Sequence, residues 1–191
     1  KASIIAANEM DLEHGRTNGL SRALLDRLAL DDERIKGIAD GLNSIAQLPD
    51  PIGDVLEEFK RPNGMHVLKK RVPVGLIGMI YDARPNVTVD AAGLALKTGN
   101  AVLLRGGSSA LQTNVRIVQV LHEALAQTEL PVDALQLIEN PDRASVNEML
   151  TLNGIIDIII PRGGASLIQN VVRNATVPVI ETGAGICHTY I

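Results

Sequence analysis

The 191 residues suffice for one sizeable α/β domain with a small appendage, and at 46% hydrophobic and 21% charged they can bury a core rather than form a disordered tail. Aromatic residues make up 2%, there is no Trp, and the formal net charge is −4; general nucleic-acid or membrane-surface binding, which needs a basic field or stacking platforms, is therefore not expected. The single cysteine, Cys187, allows no internal disulfide and fits a reducing, cytoplasmic setting, and no apolar run reaches the roughly 18 residues of a membrane span.

Residues 1–50 read as helices. Ile35, Ile38, Leu42 and Ile45 recur at helical spacing and lie on one face. Asp31 is a suitable N-cap, and Pro49 and Pro51 end the pattern. Segments 55–60 and 65–71 read as two strands around Pro62-Asn63-Gly64, where Asn-Gly supplies the positive φ of a tight turn. This polar hairpin is expected outside the main core, as an arm that meets a partner. From residue 72 short apolar runs alternate with helical patterns: strands over 74–80, 101–104, 134–138, 155–160 and 177–180, helices over 87–97, 108–127, 142–152 and 164–174. That rhythm predicts an α/β fold, a Rossmann-like parallel sheet with helices on both faces and ligands at the carboxyl ends of the strands. Few aromatics and many Ile, Val, Leu and Ala suit such buried strands.

The strand-to-helix turns carry the candidate chemistry. In Tyr81-Asp82-Ala83-Arg84-Pro85-Asn86 the Asn86 amide reads either as an N-cap of the following helix or as a donor to a developing oxyanion. Arg105-Gly106-Gly107-Ser108-Ser109 follows a buried strand and opens a helix; backbone N–H groups, helix dipole and Arg make an anion site, and the alternative is a glycine turn with a solvated Arg. Its spacing is neither a Walker loop nor GxGxxG. Pro161-Arg162-Gly163-Gly164-Ala165 repeats the arrangement, and two such turns at one sheet edge suit a dinucleotide with its two phosphate regions. After the last strand, Cys187 and His188 with Glu181 as base resemble a nucleophile pair. Adjacent residues of an extended strand point to opposite faces, however, so a small buried hydrophobe is the other reading of Cys187. His14, His66 and His122 lack metal-ligand spacing, so no metal site is expected, and His122 reads as part of a polar helix face.

Taken together, these strings resemble the γ-glutamyl phosphate reductase family of the aldehyde dehydrogenase superfamily. The resemblance runs through the stretch from Tyr81 to Asp90, the segment from Leu96 to Gly107, Asn140-Pro141-Asp142-Arg143, Ile160-Pro161-Arg162-Gly163-Gly164 and Gly183-Ala184-Gly185-Ile186-Cys187-His188, with Asn18-Gly19-Leu20-Ser21 and Asp26-Arg27-Leu28 upstream. It implies reduction of L-glutamyl 5-phosphate to L-glutamate 5-semialdehyde with NADPH and release of phosphate, the second step from glutamate to proline. A thiolate attacks the acyl phosphate, hydride reduces the thioester, and the thiohemiacetal collapses to the aldehyde. By the same likeness Asn86 is the catalytic oxyanion donor. Arg105, with Gly106, Gly107 and Ser108, meets the cofactor ribose and its 2′-phosphate, Pro141 lies against the adenine, and Arg162, Gly163 and Gly164 face the pyrophosphate. Glu181 matches the superfamily's general base in aldehyde oxidation, a task this reduction does not need, and is grouped with the cofactor residues.

The domain division implied is an N-terminal helical segment at 1–53, an oligomerisation arm at 54–71 and an NADP-binding domain at 72–191. Homo-oligomers and contact with glutamate 5-kinase, as a separate chain or a fused half, are the partners implied. The family's Ser-Thr-Cys-Asn-Thr-type motif is absent, so the nucleophilic Cys is expected in a catalytic domain beyond Ile191. The alternative is a nucleotide-binding or assembly module without turnover.

Overall fold

The computed structural model describes residues 1–181 and Tyr190. Three helices open the chain: α1 (Ala2–Thr17), α2 (Arg22–Leu28) and α3 (Asp32–Gln47). Asp31 caps α3, its carboxylate accepting from the Arg34 N–H at 2.7 Å. The half-buried Ile35, Ile38, Leu42 and Ile45 form the face expected of them. A Cβ at Gly93 would stand 2.6 Å from Leu42 Cδ2, so the missing side chain there makes the notch into which α3 settles.

Strands β1 (Val55–Lys60) and β2 (His66–Lys70) pair antiparallel as a separate two-stranded sheet. In the turn the positive φ falls on Gly64 alone (86°), not on Asn63. Pro62 and Asn63 are its central residues; Gly64 N–H donates to Arg61 O at 2.9 Å and Arg61 N–H to Met65 O at 2.8 Å.

The second sheet contains β3 (Leu76–Tyr81), β4 (Ala101–Arg105), β5 (Leu135–Leu137) and β6 (Ile158–Arg162), all parallel, in the order β5-β4-β3-β6. Four helices connect or follow them: α4 (Pro85–Lys97), α5 (Leu111–Leu125) after a 3₁₀ turn at Ser108–Ala110, α6 (Arg143–Leu150) and α7 (Ala165–Asn174). The strands β3, β4 and β6 bury both faces, as a parallel sheet between helices must, while the edge strand β5 leaves Gln136 exposed. Met79, Tyr81, Val102, Leu104 and Leu135 pack with α4 and α5, whereas Ile80 and Ile159 pack with Met149 and Leu150 of α6 and Val171 of α7. Gly78 sits on the second face, where a Cβ would lie 3.1–3.3 Å from Met149, Ile159 and Ile156.

The α/β sheet with helices on both faces is therefore as expected, with two differences. The segment 177–180 is not a strand among the described residues. It makes one bridge, Ile159↔Val179, with Ile159 N–H donating to Pro178 O (2.8 Å) and Ile180 N–H to Ile159 O (2.9 Å). Pro161 and Pro178 have no N–H with which to carry the ladder on at either side. His122 is also more than a polar face: its Nε2 lies 2.7 Å from Leu135 O and ties α5 to β5.

Candidate functional site

The strand order reverses direction at β3. Connections from β3 step outward through β4 to β5, and the chain then returns to β6 on the other side of β3. Such a switch point opens a crevice at the carboxyl ends of the strands. The register brings the expected turns together there, with Ile80 opposite Arg105 and Tyr81 opposite Arg162.

Arg105 is not the solvated side chain of the simpler reading; it is 7% exposed. Its Nη2 donates to Pro141 O (2.8 Å) and Asp142 O (3.3 Å), its Nε to Ser145 Oγ (3.4 Å) and its Nη1 to Gly106 O. Four of five guanidinium N–H groups are thus committed to the chain, leaving one for a ligand. Burial holds this guanidinium below its usual value, opposed by the fields of Tyr81 and Asp142. Tyr81 lies beside it in a buried chain of hydroxyls. Thr88 Oγ1 donates to Asn114 Oδ1 at 2.8 Å and so accepts from Tyr81 OH at 2.7 Å. Burial pushes the Tyr81 phenol up to about 12, against the pull of the Thr88 bond and of Arg105.

The glycines at this turn are required by packing. A Cβ at Gly106 would stand 2.3 Å from Asn114 Nδ2 and 3.1 Å from the Tyr81 ring, and one at Gly107 would lie 3.1 Å from the Asp82–Ala83 backbone. The β4 loop can therefore press flat against the β3 loop.

A cleft of about 600 Å³ opens at this junction, lined by Asp82, Arg105, Gly107, Ser108, Pro141, Arg143, Asn147 and Ser166 among others. The start of α7, with Gly164 as N-cap, has no side-chain cap, so its first-turn N–H groups suit an anion. At α6, by contrast, Asp142 caps its own helix, accepting from the Ala144 N–H at 3.0 Å. Arg162 and Gly163 do not line this cleft. Arg162 borders an apolar groove of about 350 Å³ beneath α4, and Gly163 abuts Leu167 and the Asp82 side chain. Glu181 is exposed just past the single bridge. Cys187 and His188 lie outside the described residues.

Asn86 is not the N-cap of α4. Arg84 holds that position and Pro85 the first helical one, where a missing N–H does no harm. Asn86 is exposed in the first turn, and its Nδ2 reaches only Asp90 Oδ2, at 3.3 Å. It opens onto a separate cleft of about 470 Å³ with Asp26, Arg27, Arg34, Arg84 and Asp90. The β3 loop thus divides two clefts: Asp82 faces the first, Arg84 and Asn86 the second. Sequence reasoning missed Arg143, Asn147 and Ser166. The rule that singled out the other strand-to-helix turns would have found Arg143 if applied to the turn after β5.

Residues 26–184 match the model of the aldehyde dehydrogenase family. A γ-glutamyl phosphate reductase of Clostridium botulinum (strain Alaska E43 / Type E3) is 59% identical over all 191 residues, which cover 46% of that protein. One of Geobacillus sp. (strain WCH70) is 56% identical over the same span, again 46% of its length. The crystal structure of γ-glutamyl phosphate reductase from Thermotoga maritima superposes with a TM-score of 0.94 at 47% identity, over 96% of this chain and 44% of that one. A propionaldehyde dehydrogenase from Rhodopseudomonas palustris, at 19% identity and TM-score 0.61 over 96% of this chain and 47% of that one, shares the fold. The chain spans about half the length of the relatives it matches.

Proposed function

The chain belongs to the aldehyde dehydrogenase family, and from that premise we propose that it is the cofactor-binding part of an NADPH-dependent γ-glutamyl phosphate reductase. Identity of 59% across the whole chain to a protein of that name carries the reading. The cleft at the switch point fits a dinucleotide phosphate. Its lining includes Gly107, whose backbone is bare, Ser166 in the first turn of the uncapped α7, and an arginine, Arg143, whose side chain makes no hydrogen bond or ion pair among the described residues. When bound, the cofactor supplies hydride to the acyl carbon.

In this reading Pro141 and Ser108 flank the adenosine end, Arg143 and the last N–H of Arg105 meet the 2′-phosphate, and the turn of Gly163 and Gly164, with open space beside Gly164, carries the first N–H groups of α7 toward the pyrophosphate. Arg162 and Glu181 border the path toward the nicotinamide end. Arg105 acts chiefly by holding the Pro141–Asp142 loop in place. Asn86 Nδ2, loosely engaged by Asp90, turns to the substrate oxygen that becomes negative as the acyl carbon is attacked; a donor there lowers the barrier. The nucleophilic thiolate is not among these residues, since Cys187 lies in a different string from the family's cysteine motif. Residues 54–71 are the arm through which copies assemble. L-glutamyl 5-phosphate is an activated, hydrolysable acyl phosphate, which favours delivery from glutamate 5-kinase nearby in the cytoplasm.

The test is the reverse reaction of the full-length protein, oxidation of glutamate 5-semialdehyde with NADP. NADPH formation that depends on added phosphate is expected. A folded, NADP-binding protein that forms none would leave the nucleotide-binding module as the better reading.

A further inference from the structure

The cleft beside Asn86 carries charges of both signs. Of its three arginines, Arg34 is committed: Nη2 donates to Asp26 Oδ1 (2.8 Å) and Nη1 to Ala29 O (2.9 Å) and Asp26 O, so it braces the link between α2 and α3 and shapes the wall. Arg84 has its Nε 3.4 Å from the Asp82 carboxylate. Arg27, in the last turn of α2, is exposed and makes no hydrogen bond or ion pair among the described residues. Asp90, which lines the same cleft, holds only the weak Asn86 contact. One uncommitted cation and one nearly uncommitted carboxylate thus line the same cleft as the amide assigned to the reacting carbonyl.

We propose that this cleft binds the amino-acid end of the substrate, its α-carboxylate on Arg27 and its α-ammonium on Asp90, with the side-chain carbonyl at Asn86. The proposal rests on the reductase reading above and adds how the enzyme tells an α-amino acid from a plain acyl chain. A zwitterionic head group leaving water needs a partner for each charge. A guanidinium pairs with a carboxylate through two parallel N–H bonds, and an aspartate accepts from an ammonium. The other cleft, across the β3 loop, presents anion donors but does not include Asn86 in its lining. The volume of about 470 Å³ is within the usual range for small-molecule sites.

The experiment uses full-length protein in the oxidative direction, with phosphate, NADP and two aldehydes: glutamate 5-semialdehyde, and butanal, which lacks both head-group charges. The expected result is that Arg27→Gln lowers the ratio of kcat/KM for the semialdehyde to that for butanal by about 10- to 100-fold, the loss of one charge-assisted pair, mainly through KM. Arg27→Lys should recover part of it, with the NADP dissociation constant at its wild-type value in both variants. Asp90→Asn is the second probe and should lower the same ratio. A wild-type protein that turns over the semialdehyde while Arg27→Gln and Asp90→Asn keep the wild-type ratio would overturn this proposal and leave the reductase reading standing. A wild-type protein with no phosphate-dependent turnover of either aldehyde would overturn both.

Discussion

In the sequence Arg105 reads as a phosphate ligand because it ends a buried strand before two glycines. The place of Arg105 at the end of a buried strand was legible, but its partners were not, because nothing in a linear string reveals that the carbonyls of Pro141 and Asp142, 36 and 37 residues on, would claim the guanidinium. This yields a prediction that separates Arg105 from Arg143. Arg105→Ala leaves the buried Gly106 carbonyl without its partner and frees the Pro141–Asp142 loop, an effect worth about 1–3 kcal/mol of stability, and it should weaken NADPH and NADH together because the loop beneath both is released, with only a small extra loss for NADPH from the single N–H at its 2′-phosphate. Arg143→Ala should leave stability nearly unchanged and weaken NADPH at least about tenfold more than NADH, as loss of a charged contact to the 2′-phosphate would. Fluorescence titration with each cofactor, paired with urea denaturation, checks this. A selective loss of NADPH in Arg105→Ala and none in Arg143→Ala would reverse the assignment. Asn86 shows the same limit differently: its place near a helix start was legible, but the cap itself falls to Arg84 because Pro85 fits the first helical position.

Among the elements, the ones with strong periodicity were predictable to within a few residues, whereas the interactions that join them were not. The start of α5 illustrates why. Ala110 is its N-cap residue and offers no side-chain acceptor. The acceptor comes from α1 instead: Asp11 receives the N–H groups of Gln112 (3.3 Å) and Thr113 (2.8 Å), the two that a local cap would normally serve, and also the Thr113 hydroxyl at 2.6 Å. The neighbouring Asn8 donates to Leu28 O (2.9 Å) and accepts from Leu30 N–H (2.7 Å), so α1 links the start of α5 to the end of α2. A polar residue in α1 looks like surface until its partner, about a hundred residues away, is known. Asp11→Ala should therefore cost about 2–3 kcal/mol, a lost cap plus a stranded buried hydroxyl. A shift in the urea midpoint at constant m would register it. A change under about 0.5 kcal/mol would mean that solvent or the local backbone replaces Asp11.

At the scale of the whole molecule, the hairpin of β1 and β2 is the part that the fold does not account for. Its strands are exposed almost throughout, with Val55, Leu56, Phe59 and Leu68 each 42–48% accessible. Cross-strand pairs such as Glu57–Lys69 (3.2 Å) and Glu58–His66 (2.6 Å), and Arg61 stacked 5.1 Å from the Phe59 ring, are surface contacts of small energy. A two-stranded ribbon of this kind is marginal alone in water, and both its outer edges offer unpaired N–H and C=O groups. The Pro62-Asn63-Gly64 turn between two short runs made this segment legible as a polar hairpin outside the core. It could not reveal what the arm packs on, because the residues facing a partner are chosen by the partner's surface. A second copy of the chain is the occupant proposed here. On that basis Phe59→Asp, which sets a carboxylate opposite Val67 near the turn end of the ribbon, should convert the full-length protein to a smaller species while the α/β body keeps its far-ultraviolet circular dichroism. Light scattering coupled to size-exclusion chromatography reads the mass directly. An unchanged mass with the variant folded would remove the arm from the assembly interface.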